Sequence, residues 1–257
     1  MMRGFSAILR KELANFFVSP IAYAVIGSFL LLAGIFFTVN LVAFSDYSLK
    51  ASSAPWAARL LNTNQFVVRP LVQNMSILLL FIAPALTMRL FAEEKRSGCI
   101  ELLLTYPISD IAIVLGKFLA ACIVVLLLVI GTLPCIAILF GLGQPDLGPI
   151  IGSYVGLAFM GMAFVSIGVL VSSLTENQIV AFSVTFMLSL AFWAMNWIQP
   201  FLSGSNATVI NQVSLLSHME TFEKGIISLS DVSFFVLFTM FFLFLTLRSI
   251  ETFRWKG

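Results

Sequence analysis

The sequence predicts an all-α membrane protein: a polytopic bundle of six transmembrane helices preceded by an amphipathic interfacial helix. Composition is the first basis, because 60% of the 257 residues are hydrophobic and only 10% are charged. Soluble domains are about half apolar and about a quarter charged. The long apolar runs are the second basis, since they are continuous rather than alternating and so indicate helices instead of a β-barrel. The small net charge of +2 does not predict a nucleic-acid partner.

The first segment, residues 3–19, is predicted to be a helix that lies at the membrane surface. Apolar side chains at helical spacing share one face, and polar side chains share another. The apolar set is Phe5, Ile8, Leu9, Leu13, Phe16 and Phe17, and the polar set is Arg10, Lys11 and Asn15. Such a helix either anchors the chain and fixes its topology or contacts a partner, and the sequence leaves both roles open.

Six uncharged runs are long enough to cross a bilayer, because a crossing helix needs about 20 apolar residues. The predicted transmembrane helices are 20–44, 70–90, 110–141, 150–174, 178–199 and 231–248. The last run is the shortest, and we expect it to cross with Arg248 reaching up to the interface. Residues 1–257 are interpreted as a single transmembrane domain.

The distribution of Lys and Arg predicts that both termini are cytoplasmic. With six crossings, the side that holds the termini carries ten of the 14 Lys and Arg residues, which leaves four on the other side. Cytoplasmic segments of membrane proteins carry such an excess. Most of the bias comes from the two ends of the chain and from residues 89–117.

No catalytic constellation is evident in the sequence. A phosphate-binding loop ending at Gly116-Lys117 would need glycine at position 111, which is Ile111. Ionisable residues buried inside the spans are not expected either, which argues against a carrier driven by protons or sodium. We therefore predict no catalytic residue, no metal site and no cofactor bound by this chain.

One enzyme class has a partial match in the sequence. The adjacent acids Glu93 and Glu94 beside a transmembrane helix resemble the paired glutamates of intramembrane metalloproteases. In that pattern an arginine would stand where Gly98 is found, and several histidines would be needed where the chain has only His218. Short motifs are weak on their own, so this function is not favoured.

Residues 89–117 hold the densest charge of the chain. A short helix over 98–106 is predicted here, because Gly98 can begin it, Glu101 can cap it and Pro107 ends it. This helix is strongly apolar for a cytoplasmic loop and is expected to be covered by another surface. Its apolar residues are Ile100, Leu102, Leu103 and Leu104.

The run EEKRSGCIELLLTYPIS, followed by LGK, resembles the signature of the type-two ABC exporter permeases. Cys99 stands where that family commonly has threonine. The amphipathic first helix, the six spans and the cytoplasmic termini are similar too, so the resemblance covers nearly the whole chain. Residues 217–231 look most like the subgroup of gliding-motility-associated and copper-enzyme-maturation permeases.

The resemblance implies a membrane-spanning permease subunit of an ATP-driven exporter in the bacterial inner (cytoplasmic) membrane. ATP and Mg²⁺ would be bound by a separate ABC ATPase subunit, and the 91–109 segment would be the coupling loop, with its 98–106 helix in a groove of that ATPase. A second permease subunit, either a copy of this chain or a sister chain, and membrane lipid would be further partners. The residues implied in coupling are Glu93, Glu94, Gly98, Ile100, Glu101, Leu104 and Pro107.

Residues 45–69 and 200–230 are predicted to lie on the outer side of the membrane. Residues 200–230 are similar to the re-entrant outer helices of those exporters, and the 45–69 loop is a candidate contact for an accessory protein outside the membrane. The acids Glu220 and Glu223, together with His218, are interpreted as a solvated outer face rather than a metal site.

The alternative function is a non-transporting membrane scaffold that anchors a multi-protein assembly, in which the loop charges only enforce topology.

Overall fold

The structure, a computed structural model of the chain, describes residues 2–51, 62–99, 101, 108–143, 145–198 and 210–256. These ranges contain helices, turns and short connections, and no strand occurs within them. A π-helical turn at Asn64–Val68 leads directly into the third principal helix. The principal α-helices are α1 (Met2–Val18), α2 (Pro20–Ala51), α3 (Arg69–Thr87), α4 (Ala92–Arg96), α5 (Asp110–Ile130), α6 (Leu133–Leu142), α7 (Leu147–Leu174), α8 (Gln178–Ile198), α9 (Leu215–Glu223) and α10 (Leu229–Lys256).

Six helical segments of the described chain are long and apolar enough to cross a membrane, which confirms the predicted polytopic bundle. The last one, predicted as the short run 231–248, has 25 residues and so reaches across a bilayer without help from its flanking charges. The six segments are Ala22–Lys50, Asn64–Arg96, Asp110–Leu142, Leu147–Leu174, Gln178–Ile198 and Leu229–Phe253.

The third crossing is broken between α5 and α6. Gly131 and Thr132 separate the two helices, and Pro134 lies in the first turn of α6, where a missing backbone N–H costs nothing. The Thr132 hydroxyl donates to the carbonyl of Val129 at 2.7 Å and lies 2.9 Å from the hydroxyl of Tyr154 on α7. The polar groups freed by the break therefore find partners inside the bundle, as the apolar surroundings require.

Helix α7 forms the centre of the bundle and packs against α3, α5, α8, α9 and α10. Of its most apolar stretch, 72% is buried within the chain, against 17% for α2. Small residues explain this position, because they let neighbouring backbones approach closely. Gly161 lies against Val125 of α5, and Gly168 lies so close to Thr87 of α3 that an added Cβ would be 2.0 Å from its Oγ1.

Contacts between helix ends define the two ends of the bundle. At the first, which we call the terminal end, α1 contacts α4 through Lys11 and Glu94. The end of α10 reaches the same place, since the Ser249 hydroxyl donates to the carbonyl of Ser173 at the end of α7. The opposite end, called the far end, holds the start of α3 and the whole of α9.

The far end contains more buried and paired charged residues than the sequence predicts. Helix α9 ends at Glu223, which was interpreted as part of a solvated face but is buried and accepts a 2.6 Å hydrogen bond from Nε of Arg69. His218 lies 2.6 Å from a carboxylate oxygen of Asp231 and stacks on Phe234. Most of α9 is thus held by the bundle. Residues 200–209 of the predicted re-entrant segment lie outside the described ranges.

Helix α2 extends to Ala51, seven residues beyond the predicted end at 44. Residues 45–51 of the predicted outer loop are therefore helical, residues 62–68 begin the next crossing, and residues 52–61 lie outside the described ranges. At the other termini of the spans the helices begin or end within a few residues of the predicted positions, except that α10 continues to Lys256.

Candidate functional site

The 91–109 loop begins with α4, a helix of only five residues, at the terminal end. Its start is capped by a side chain from another helix. The hydroxyl oxygen of Ser172 on α7 accepts hydrogen bonds from the backbone N–H groups of Phe91 and Ala92, at 3.0 and 3.1 Å, and donates to the carbonyl of Met88 at 3.3 Å. Ser172 therefore satisfies N–H groups that a helix start leaves without intrahelical partners.

Gly98 lies directly after α4 in a left-handed conformation, with φ of 71°, which glycine adopts without steric cost. Its N–H donates to the carbonyl of Lys95 at 3.1 Å, which closes the short helix. Residues 99 and 101 are helical again, and the N–H of Glu101 donates to the carbonyl of Gly98. Of the predicted coupling residues, Ile100, Leu104 and Pro107 lie outside the described residues, so the helix beyond Glu101 stays a prediction.

A cluster of four charges lies beneath this loop, and Lys117 of α5 is at its centre. The Lys117 ammonium donates to Glu12 of α1 at 2.8 Å and to the carbonyl of Leu90 at 2.6 Å, and lies 3.0 Å from Oε2 of Glu94. Its side chain is only 1% exposed. Two of these contacts are hydrogen bonds and the third is an ion pair, so one carbonyl and two carboxylates surround the buried ammonium.

Lys11 of α1 completes the cluster from its exposed side. It lies 3.0 Å from Oε1 of Glu94 and 4.0 Å from Oε1 of Glu12. Partial burial alone would lower the pKa of Lys11, but the hydrogen bond and negative charge of Glu94, together with Glu12, outweigh it, so the pKa is raised above its ordinary value. Two cations and two anions thus compensate one another where α1, α4 and α5 meet.

The structure corrects two sequence interpretations here. The expectation that the spans bury no ionisable residue is wrong, because Lys117 belongs to the third crossing and is buried. Glu12 was not recognised as a site residue, although it follows Ile8 by four residues and precedes Phe16 by four. An acid at that spacing within an apolar face was the available signal, since residues i and i+4 lie on one face of a helix.

The predicted loop acids separate into two groups. Glu94 bonds to Lys11 and Lys117 of its own chain. Glu93 and Glu101 are exposed and form no ion pair within the described ranges. Of the three acids implied in coupling, Glu94 is thus tied to its own chain, whereas Glu93 and Glu101 are exposed.

Helix α1 reaches the cluster because α5 has a glycine at the crossing. A Cβ at Gly116 would lie 2.8 Å from Cγ2 of Ile8 and 3.6 Å from the backbone nitrogen of Leu9. Any larger residue at position 116 would push α1 outward. Gly116 is therefore the residue that lets Glu12 approach Lys117, its neighbour along α5.

A second connection ties α4 to the other side of the bundle. The Lys95 ammonium donates to the carbonyl of Ser173 at 2.5 Å and lies 4.7 Å from the ring centre of Phe253 on α10. The orphan carbonyls at a helix C-terminus favour such a cation. The five-residue α4 therefore contacts α1 and α5 through Glu94, and α7 and α10 through Lys95.

This geometry defines a class of protein: a multi-pass membrane protein whose loop after the second crossing is attached to four other helices through its own charged residues Glu94 and Lys95. Residues 6–250 match the family described as ABC-2 family transporter protein. The chain therefore belongs to the ABC-2 family of transporter proteins. No curated protein matches the chain significantly.

Family membership has three direct consequences. The chain is a membrane subunit of a transporter, such subunits are generally not catalytic, and an ABC ATPase is the general partner of the family. The match is to the family as a whole, so the predicted subgroup of gliding-motility-associated and copper-enzyme-maturation permeases gains no support from it.

Proposed function

We propose that this chain is the permease subunit of an ATP-driven exporter and works with a separate cytoplasmic ABC ATPase subunit that binds ATP and Mg²⁺. The observation that carries the proposal is the attachment of the 91–109 loop to four helices through Glu94 and Lys95. A loop that merely connected two spans would need no such attachment. The excess of Lys and Arg at the terminal end favours a cytoplasmic location for that end. The membrane in this proposal is the inner membrane of a bacterium.

In this proposal the 98–106 segment enters a groove of the ATPase. Glu101 is exposed within this segment and offers negative charge to basic residues of that partner, and Glu93 is exposed on α4 just before it. Gly98 sets the direction in which the segment leaves α4, because few other residues tolerate its backbone conformation. Ile100, Leu104 and Pro107 would supply apolar contact and the end of the docked helix.

The charge cluster then transmits movement of the loop to the membrane. Displacing α4 would pull on Lys117 of α5 and on Glu12 of α1 together, because both are linked to Glu94 within one buried network. Breaking such a network without a replacement partner is costly, so the linked helices would move with the loop. A second permease subunit, identical or related, would complete the path, with the less buried helices α2, α8 and α10 available to it.

Purified chain and its ATPase, reconstituted in liposomes, test the proposal. Glu101→Lys is expected to weaken ATPase capture and to uncouple ATP hydrolysis from transport, while the chain still inserts. Arg10→Glu is the control, because Arg10 is also an exposed charge at the terminal end but lies on α1, outside the 98–106 segment. Normal coupled transport by Glu101→Lys would contradict the proposal.

A pull-down of the chain from its native membrane, using mild detergent, separates transport from the scaffold alternative. Recovery of a stoichiometric ATPase that is lost with Gly98→Pro supports the exporter. Recovery of a stable assembly without any ATPase, unchanged by Gly98→Pro, would support the scaffold instead.

A further inference from the structure

A cavity of about 640 Å³ lies between α1, the start of α2 and the end of α3. One wall is apolar and includes Ala22 and Val25 from the first turns of α2 and Leu86 from the last turn of α3. The other wall is charged and includes the four-charge cluster. The cavity is therefore amphipathic, and its apolar wall belongs to two membrane-crossing helices at the level where each meets the terminal end.

Two charges on the polar wall remain uncompensated. The four members of the cluster pair with one another, as described above. Arg89 is half-buried, lines the cavity, and makes no hydrogen bond or ion pair with any residue in the described part of the chain. Glu93 also lines the cavity, and its carboxylate forms no ion pair within the same ranges. One cation and one anion thus face the same space without joining each other.

The guanidinium donors of Arg89 are therefore open to a ligand that occupies the cavity. The planar fork of these donors matches the oxygens of a phosphate group and bonds them in pairs. The carboxylate of Glu93, on the same wall of the cavity, would attract an ammonium group. The volume lies within the range of about 300–1,000 Å³ that small-molecule sites occupy.

We propose that this cavity binds the headgroup of a zwitterionic phospholipid. The phosphodiester bonds to Arg89, the ammonium group of the headgroup faces Glu93, and the acyl chains leave along the apolar wall into the bilayer. A free phosphate compound would use Arg89 but not the apolar wall, so the lipid is the better match. The site goes beyond the proposed ATPase coupling and does not depend on it.

Native mass spectrometry of the full chain, titrated with phosphatidylethanolamine or phosphatidylglycerol, tests the proposal. We expect one phosphatidylethanolamine molecule to be retained in preference to phosphatidylglycerol. Arg89→Gln should weaken retention of both lipids roughly tenfold or more, because a charge-assisted pair of hydrogen bonds is lost. Glu93→Gln should abolish the preference between the two lipids. Arg10→Gln is the matched control, since Arg10 is exposed on α1 and does not line the cavity.

Two results would overturn the proposal. Equal retention by Arg89→Gln and Arg10→Gln would show that Arg89 holds no headgroup. Competition by soluble glycerophosphoethanolamine as effective as that by the intact lipid would assign the site to a free small molecule.

If Arg89→Gln does not fold, as judged by its thermal unfolding, Arg89→Lys takes its place, because it keeps the charge and loses the paired geometry. Retention by Arg89→Lys equal to that of the parent chain would then overturn the phosphodiester contact.

Discussion

The ammonium of Lys117 lies 2.8 Å from a carboxylate oxygen of Glu12, a residue 105 positions earlier in the chain. This bond joins the third crossing to the first helix. It makes α1 part of the bundle, whereas the sequence alone indicated a helix that contacts the membrane surface. Glu94 shares the same lysine, so the loop after the second crossing is joined to both.

Replacing Lys117 with Met should destabilise the chain strongly. Glu12 and Glu94 would lose their common cation while remaining mostly buried, and breaking a buried ion pair from one side costs about 3–5 kcal/mol. Lys11→Met is the control, because Lys11 is 54% exposed and an exposed pair contributes about 0–1 kcal/mol. Unfolding in detergent measures both variants. Equal losses of stability for the two would show that the cluster is not a buried network.

Gly116→Ala should displace α1 from α5. The added Cβ would lie 2.8 Å from Cγ2 of Ile8, which is closer than real carbon contacts allow. Hydrogen exchange of the α1 backbone is expected to increase, and the second change Ile8→Ala should restore part of the protection. Gly141→Ala is the control, because nothing lies within 4 Å of a Cβ there. Unaltered exchange in Gly116→Ala would contradict the close packing of α1.

Ser172→Ala should loosen α4. The change leaves the N–H groups of Phe91 and Ala92 without their acceptor, and an unsatisfied buried donor costs about 1–3 kcal/mol. Ser173→Ala is a matched control, since the Ser173 hydroxyl only donates to the carbonyl of Leu170 on its own helix. Exchange of the backbone amides of residues 91–97 is the measurement. The prediction fails if the two variants exchange at the same rate.

Gly152→Ala should detach α9 from α7. The new Cβ would lie 2.4 Å from the carbonyl oxygen of Phe222, a backbone atom that cannot turn away as a side chain could. Gly148→Ala, one turn earlier on the same helix, adds a Cβ into open space. We expect faster hydrogen exchange over residues 215–223 in the first variant and unchanged exchange in the second. Equal protection of α9 in both would contradict this packing.

The stability of the far end should depend on pH through Glu223. Burial raises the pKa of this carboxyl, while the charge and hydrogen bond of Arg69 and the hydrogen bond of Gln73 oppose the increase. Between the ordinary pKa of a glutamate and the raised pKa of Glu223, the folded chain binds more protons than the unfolded chain. The contribution of Glu223 to the free energy of unfolding therefore increases as the pH falls through the raised pKa. Melting temperatures from about pH 8 to about pH 5 should therefore rise for the parent chain relative to Glu223→Gln. If the difference in melting temperature between the parent chain and Glu223→Gln stays constant over this pH range, the pKa of Glu223 is not raised.

The number of crossings and their order could be predicted from the sequence because bilayer thickness sets a minimum apolar length. Asp110, for example, begins both the predicted third span and α5. The extension of α2 to Ala51 could not, because residues 45–51 include the charged Asp46 and Lys50, beyond the uncharged run that places the span.

The candidate site was only half predictable. The motif at 93–101 locates the loop, but the partners of Glu94 lie 83 positions earlier, at Lys11, and 23 later, at Lys117. Charge patterning along the chain assigns Lys117 to the cytoplasmic flank of a span, whereas tertiary packing buries it. Long-range ion pairs of this kind leave no periodic signal, so only the helix arrangement reveals them.

The cap that Ser172 places on α4 has a consequence for the synthesis of the chain. A helix of five residues is too short to persist alone, and its capping hydroxyl comes from near the end of the fourth crossing. While the ribosome has delivered only the first three crossings, the segment 92–96 lacks that hydroxyl and cannot hold its helical form. The proposed docking element thus matures only once the fourth crossing has been inserted, so an incomplete chain would present no finished surface to an ATPase.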